Sequence, residues 1–210
     1  MPAARPLAHT AGVNQQPQQT VLVGAPGSGK STVGEILAAA TGRPHVDADA
    51  ASAGFYGEVG WSVERLGARA SEVGFSLAHE EWEVALAHAV ERLVETSPGA
   101  VISLGAGHSH VTDDALFERV VRALGAADQV VLLRPSDDLQ VSLEVLRQRC
   151  LDDKGTAWRV DGEDWLERWL TDGRDERVAT HCVLTTGMTP DQTASVVAGL
   201  AGRGLSVGRG

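Results

Sequence analysis

Residues 24–31, with the sequence GAPGSGKS, have residue types that permit very few backbone structures. The segment matches the pattern G-x-x-x-x-G-K-[ST], follows a short apolar run at residues 20–23 and opens a helical pattern. Glycines let the backbone turn so that its N–H groups point at one phosphate, and a helix N-terminus adds the positive end of a dipole. This context predicts that a nucleoside triphosphate binds here. The predicted contacts come from Gly24, Ala25, Pro26, Gly27, Ser28, Gly29, Lys30, Ser31 and Thr32.

Two side chains of this loop carry the expected chemistry. Lys30 is one of only two lysines in the chain, and its cation is expected at the β and γ phosphates. The hydroxyl of Ser31 is expected to ligate Mg²⁺. The alternative interpretation is a glycine-rich turn that matches the pattern by accident, but the strand before it and the helix after it favour the phosphate site.

Length and charge limit the class of protein. The 210 residues fit one α/β domain with a small lid better than a multidomain protein. The formal net charge of −10 disfavours broad electrostatic binding to nucleic acid or to an anionic membrane. No apolar run approaches the ~20 residues that a membrane span needs. Cys150 and Cys182 lie far apart without metal-like spacing, which favours a reducing cytoplasm, and the oligomeric state stays open between monomer and homodimer.

Short apolar runs alternate with helical patterns along the chain, which predicts a parallel sheet covered by helices on both faces. We expect flexible tails at residues 1–19 and 203–210, a single domain over residues 20–202, and a mobile lid at about 151–163. Strands are predicted at residues 20–23, 44–46, 100–104, 129–133 and 181–185, and the longest helix at 80–95.

The second predicted strand runs into His45-Val46-Asp47-Ala48-Asp49. Side chains alternate along a strand, so Asp47 and Asp49 fall on the same side at its carboxyl end. Both carboxylates can there face a γ-phosphate and an acceptor molecule. The alternative is a pair of solvated loop acids.

The third predicted strand runs into Ser103-Leu104-Gly105-Ala106-Gly107. Glycines at this place let backbone N–H groups approach a phosphate or a substrate, whereas the simpler interpretation is a turn that ends the strand. No aspartate ends this strand, which argues against a GTPase or a motor-type ATPase. His108 follows directly and is either a substrate contact or a surface histidine.

The order and spacing of these motifs resemble the shikimate-kinase-like small-molecule kinases over residues 20–202, and the architecture is similar to that of chloramphenicol-type phosphotransferases. The resemblance implies a three-layer P-loop NTPase fold with a five-stranded parallel sheet of order 2-3-1-4-5. It also implies ATP and Mg²⁺, with Asp47 helping to hold the metal. Asp49 would hydrogen-bond the acceptor hydroxyl as base or orienter. Gly105, Ala106 and Gly107 resemble the family's Gly-Gly-Gly segment.

The family's lid supplies a cation to the transferred phosphoryl group. The resemblance leaves four candidates, and among Arg147, Arg149, Lys154 and Arg159 we predict Arg149 as the catalytic one together with Lys30 and Asp49. Residues 186–190 would lie near the adenine.

One departure concerns the acceptor. In shikimate kinases an arginine near position 76 clamps the substrate carboxylate, and Ser76 cannot form such a bidentate pair. Arg174 resembles the family's substrate arginine, although the proline and tyrosine usual in its helix are missing. This departure, together with the aromatic residues of segment 50–76, predicts that the acceptor is a neutral or larger alcohol such as a nucleoside, a cyclitol or an antibiotic. The alternatives are shikimate kinase itself and a regulatory P-loop ATPase without an acceptor.

Overall fold

The computed structural model of the protein describes residues 18–200. Five parallel strands form the central sheet in the order β2-β3-β1-β4-β7, which confirms the predicted order because β5 and β6 belong to a separate hairpin. Alternate residues of β1 face opposite layers, since Val21 and Val23 pack in one core cluster and Leu22 packs in another. The strands are β1 (Thr20–Val23), β2 (His45–Asp47), β3 (Val101–Ser103), β4 (Gln129–Arg134), β5 (Arg159–Val160), β6 (Glu163–Asp164) and β7 (His181–Leu184).

Helices cover both faces of this sheet. Two helices, α1 and α11, pack on one face through Leu37 and Val197, and α5 and α7 pack on the other through Trp82 and Phe117. The helices are α1 (Lys30–Thr41), α2 (Ala48–Ala51), α3 (Ala53–Glu58), α4 (Val63–Val73), α5 (Phe75–Thr96), α6 (Ala106–Ser109), α7 (Asp114–Leu124), α8 (Leu139–Lys154), α9 (Trp165–Thr171), α10 (Arg174–Val178) and α11 (Pro190–Leu200).

The segment expected to form a mobile lid, at about residues 151–163, contains regular secondary structure. Helix α8 continues to Lys154, and the chain then forms the hairpin β5–β6. A third apolar cluster holds this region together, with Leu146 and Cys150 of α8 packed against Trp165 and Trp169. Polar composition alone did not indicate this order, because the apolar partners come from the following helix.

Most of the expected tails, namely residues 1–17 and 201–210, lie outside the described residues. Gln19, which the prediction placed in the first tail, is instead buried. Its amide donates to the carbonyl oxygens of Val94 and Ser97 at 2.9 and 2.7 Å, and these contacts fix the chain before β1. Across residues 18–200, no helix combines the length and the apolar character needed to cross a lipid bilayer.

A buried ionic cluster ties the loop after β3 to the start of α10. His110 is 2% exposed, and its ring contacts the carboxylates of Asp172 at 2.8 Å and Asp175 at 3.2 Å. Burial alone would lower the pKa of His110, but the charge and hydrogen bonds of the two aspartates outweigh it and raise the pKa to about 9. His110 is therefore a cation in the folded protein at neutral pH.

We expect His110→Gln to remove a stabilising term that depends on pH. The folded pKa lies above the ordinary value of 6.5, so this term is fully present below pH 6.5 and is lost as the pH rises through about 9. Its upper limit is about 3 kcal/mol. Urea unfolding of both proteins between pH 6.5 and 10 measures the difference in free energy, and a difference that stays constant over this range contradicts a charged His110.

Candidate active site

A cleft of about 740 Å³ opens at the carboxyl ends of the sheet strands. The loop after β1 forms its floor, and residues that follow β2, β3 and β7 line it, namely Asp49, Gly105 and Thr185. Ligands of open parallel sheets bind at this edge, because the loops from several strands converge there. Seven of the nine predicted nucleotide contacts line the cleft: Pro26, Gly27, Ser28, Gly29, Lys30, Ser31 and Thr32.

The phosphate loop has three glycines with positive φ, namely Gly24, Gly27 and Gly29. Gly24 has a φ of 138°, and a Cβ there would stand 2.5 Å from the carbonyl oxygen of Leu133. Gly29 has a φ of 95° and precedes α1 without a side-chain cap, which leaves the N–H groups of the first turn for an anion. Lys30 is 8% exposed and donates to the carbonyl oxygens of Gly24 at 2.7 Å and Ala25 at 3.0 Å. The loop is therefore cradle-shaped, with its lysine folded across it.

Helix α1 lies unusually close to β2 and β3. Gly34 has no side chain, and a Cβ there would clash with Ser103 Oγ and stand 2.7 Å from His45 Nε2. Ser103 fills this space by donating to the carbonyl oxygen of Lys30 at 2.9 Å, and its hydroxyl also contacts His45 Nε2 at 2.9 Å. These contacts hold the first turn of α1 against the ends of both strands.

The predicted metal ligands are brought together. Ser31 Oγ donates to Asp47 Oδ2 at 2.9 Å, and the other oxygen of Asp47 accepts from the N–H of Ala50 at 3.3 Å. A hydroxyl and a carboxylate are hard oxygen donors, and Mg²⁺ in phosphate sites keeps most of its waters and takes few protein ligands. The pair fits that ion, and no group of three or more His, Cys, Asp or Glu side chains suited to a metal occurs within residues 18–200.

Asp49 lies against the loop that follows β3. A Cβ on Gly105 would clash with Asp49 Oδ1 and stand 2.8 Å from His108 Nδ1, so both polar groups share one face of that glycine. His108 is 2% exposed, and its Nε2 lies 2.9 Å from the hydroxyl of Tyr56. Burial lowers the pKa of His108 and raises the pKa of Tyr56 to about 12, so both are uncharged at neutral pH.

The lid places Arg149 over the phosphate loop. Arg149 NH1 donates to the carbonyl oxygen of Gly27 at 3.1 Å. Arg147 and Arg159 instead pair with Asp164, and Arg159 is 67% exposed. The side chain of the fourth candidate, Lys154, lies outside the described part of the chain. Of the three described candidates, only Arg149 lines the cleft.

The tip of the lid hairpin caps the longest helix. Asp161 Oδ2 accepts from the N–H of Phe75 at 2.6 Å, which is the first residue of α5. Gly74, which precedes the helix, has no side chain that could cap it. Asp161, 86 positions after Phe75 in the sequence, supplies the cap instead. This contact docks the lid on the acceptor side of the cleft.

The family model described as shikimate kinase matches residues 26–199 of the sequence. The chain belongs to the shikimate kinase family. It is therefore a small-molecule kinase of the P-loop class, from a family that uses ATP, typically with Mg²⁺. No curated protein matches the sequence.

Solved structures show the same fold. Shikimate kinase from Acinetobacter baumannii, in complex with shikimate, is 20% identical over 87% of this chain and 92% of that chain, with a TM-score of 0.63. Shikimate kinase from Aquifex aeolicus is 20% identical over 88% and 95%, with a TM-score of 0.57. A gluconokinase from Sinorhizobium meliloti is 23% identical over 90% and 95%, with a TM-score of 0.54.

The acceptor side of this kinase departs from the sequence-based assignments. Gly105, Ala106, Gly107, His108 and Asp49 line the cleft as predicted contacts should. Ser76 and Arg174 are not among the lining residues. Two of the aromatic residues of segment 50–76 that sequence analysis associated with the acceptor, Tyr56 and Phe75, line the cleft. Sequence analysis did not assign His79, Trp82, Trp158 and Trp169, which also line it. The excess of tryptophan in the chain does not distinguish a cleft wall from a core.

The arginines near the acceptor side are engaged elsewhere. Arg174 donates to the carbonyl oxygens of Val111 at 2.5 Å and Thr112 at 3.1 Å, so its guanidinium fastens the loop after β3. Arg69 makes a bidentate pair with Glu81, and Arg65 lies over the ring of Trp61. The lining therefore contains only two lysine or arginine side chains among the described residues, Lys30 and Arg149, and both lie at the phosphate loop.

We expect Gly34→Ala to weaken both folding and ATP binding. The new methyl group would displace Ser103 and His45 and move the first turn of α1, and overpacking of this kind costs about 1–3 kcal/mol. Gly199→Ala on α11 is the matched control, because a Cβ there meets open space. Urea unfolding and calorimetric titration with ATP measure both effects. Unchanged ATP affinity in Gly34→Ala would contradict the role of this contact.

Proposed function

We propose that this kinase transfers the γ-phosphoryl group of ATP to a hydroxyl group of an uncharged small molecule that carries an apolar or aromatic portion, such as a nucleoside, a cyclitol derivative or an antibiotic. The observation that carries the proposal is the division of the cleft. Cations and metal ligands lie at the phosphate loop, whereas the acceptor side is lined by aromatic rings, glycines and uncharged histidines.

The phosphate side supplies positioning and charge. Backbone N–H groups of the loop and the N-terminus of α1 hold the phosphates, and Lys30 moves from its carbonyl partners to the β and γ phosphates. Arg149 approaches from the lid and offsets charge on the transferred group. Mg²⁺ held by Ser31 and Asp47 would neutralise charge on the β and γ oxygens.

Asp49 acts on the acceptor. Its carboxylate lies against Gly105, at the boundary between the phosphate side and the acceptor side. The acceptor oxygen forms a bond to the γ-phosphorus, the bond from that phosphorus to the leaving oxygen of ADP breaks, and the hydroxyl proton passes to Asp49. His108 and Tyr56 keep the neighbouring loop in place as uncharged partners.

An anionic acceptor would meet a poor environment. A carboxylate buried among Tyr56, Phe75 and Trp158 would lose its hydration, and no arginine or lysine of the described residues lines that side of the cleft to pair with it. The penalty for an unpaired buried ion is several kcal/mol, enough to exclude weak-binding anions. The shikimate carboxylate is such an anion, and the family resemblance matches Ser76 to the arginine that clamps it.

The proposal is tested by mass spectrometry of reactions with Mg²⁺ and ATP. The panel contains shikimate, gluconate, myo-inositol, uridine and chloramphenicol, and a mass gain of one phosphate identifies an acceptor. We expect phosphorylation of an uncharged member and none of shikimate or gluconate. Phosphorylation of shikimate alone would refute the uncharged-acceptor proposal. ATP hydrolysis without any phosphorylated product would favour a regulatory ATPase instead.

Asp49→Asn should leave ATP binding intact and lower kcat by roughly 100-fold or more, because the amide cannot accept the hydroxyl proton. Asp153→Asn is the matched control, since Asp153 also lines the cleft but belongs to the lid helix. Calorimetry gives the ATP affinity and a coupled assay with the identified acceptor gives kcat. Full kcat in Asp49→Asn would show that another group takes the proton.

Arg149→Ala should lower kcat by roughly 100-fold, with a smaller effect on ATP affinity, because its charge matters most during transfer. Arg159→Ala changes the same lid at a position that is 67% exposed, and it should stay within about twofold of the wild type. The same assay compares both variants. Equal losses in the two variants would assign the effect to lid stability rather than to Arg149.

A further inference from the structure

We infer that His79 is the residue with which this kinase recognises its acceptor, through a hydrogen bond between the imidazole and an uncharged polar group such as a carboxamide, a carbonyl or a hydroxyl. The inference rests on the proposed function and specifies the acceptor chemistry of the same cleft. It concerns binding of the acceptor and leaves the transfer step to Asp49.

The position of His79 suits this role. It lies on α5, three residues after Ser76, and it is 6% exposed while lining the cleft. Its ring centroid is 5.7 Å from that of Phe75 and 5.0 Å from that of Trp165. A Cβ on Gly107 would stand 3.2 Å from His79 Nε2, so the imidazole reaches the predicted acceptor loop.

Among the described histidines, His79 differs from the others because its ring makes no hydrogen bond within the described part of the chain. Within residues 18–200 its ring has aromatic neighbours but no hydrogen-bond partner. Every other described histidine has one. The pairs are His45 with Ser103, His88 with Glu58, His108 with Tyr56, His110 with Asp172 and His181 with Thr180. An imidazole in the cleft wall that has no protein partner can donate a hydrogen bond to a ligand and accept one from it.

The surroundings of His79 decide which group it can bind. Burial lowers its pKa to about 4, although the charge of Glu83 opposes the shift, so the imidazole is uncharged at neutral pH. Glu83 is itself occupied by the N–H groups of Thr112 and Asp113 at 2.8 and 2.9 Å. Arg168 lies over the ring of Trp165. An uncharged imidazole donates and accepts one hydrogen bond each, but it cannot neutralise a carboxylate.

The walls around His79 indicate the rest of the acceptor. The lid brings Trp158 to the cleft, where its ring centroid lies 5.1 Å from that of Trp169. Val63 on α4 lines the same cleft and is 59% exposed. Aromatic faces and an uncovered valine favour a ligand with an apolar ring. The acceptor class is therefore an alcohol with an apolar ring and an uncharged polar substituent.

Two probes of almost identical shape test this inference. 4-(Hydroxymethyl)benzamide carries an alcohol, an aromatic ring and an uncharged amide, whereas 4-(hydroxymethyl)benzoate carries a carboxylate in place of the amide. Ligand-observed NMR titration gives their Kd values in the presence of Mg²⁺ and a non-hydrolysable ATP analogue. We expect the amide to bind at least about tenfold more tightly than the carboxylate.

Three variants locate the effect. His79→Leu should weaken amide binding about tenfold, because the apolar side chain keeps the volume and loses the hydrogen bond. His79→Gln should retain the affinity within about threefold, since its amide can hydrogen-bond in the same place. His88→Leu is the matched control, because His88 lies on the same helix but pairs with Glu58 outside the cleft. Binding of the ATP analogue, unchanged in all three, shows that each variant is folded.

Several results would overturn the inference. These are tighter or equal binding of the carboxylate, full amide affinity in His79→Leu, and no saturable binding of either probe.

The transfer proposal can fail independently of the inference about His79. If a panel acceptor is phosphorylated and its KM is unchanged in His79→Leu, the kinase function stands and the role of His79 is wrong. If the amide binds through His79 but no acceptor is phosphorylated, recognition stands and the transfer proposal is wrong.

Discussion

The close approach of α1 to β2 and β3 is the constraint on which the active site depends. Only a residue without a side chain at position 34 lets Ser103 reach the carbonyl oxygen of Lys30. This hydrogen bond fixes the first turn of the helix, which carries Lys30 at the phosphates and Ser31 beside Asp47. The metal pair and the loop geometry are thus two consequences of one packing contact.

A second constraint is the separation of charge within one cleft. Lys30 and Arg149 lie at the phosphate loop, where each donates to a backbone carbonyl oxygen of the loop itself. On the other side, Arg69 and Arg174 are held by Glu81 and by loop carbonyls, which removes them from the acceptor. A phosphate therefore meets cations, and an acceptor meets uncharged surface.

The sequence predicted those parts of the site that are built from residues close together in the chain. The phosphate loop and the pair Asp47 and Asp49 were predicted from short motifs whose residues are neighbours in the chain, and they line one cleft. The strand order was implied by the family resemblance, and the sheet has that order. The acceptor wall could not be predicted in the same way. His79 and Trp158 are far apart in sequence and meet only because the lid docks on α5. Arg174 was assigned to substrate because a motif cannot show that its partners are the carbonyl oxygens of a distant loop.

The lid links the two sides of the cleft as one packed unit. Helix α8 carries Arg149 to the phosphate loop, and the hairpin that follows carries Trp158 to the acceptor wall. Leu146 of α8 belongs to an apolar cluster against which Val160 of the hairpin packs, and Asp161 fastens the hairpin to the N-terminus of α5. Because these contacts belong to a single segment, the hairpin cannot leave the acceptor wall without loosening the packing that holds Arg149. Under the proposed function, water exclusion at the acceptor and charge compensation at the phosphate therefore depend on the same packing.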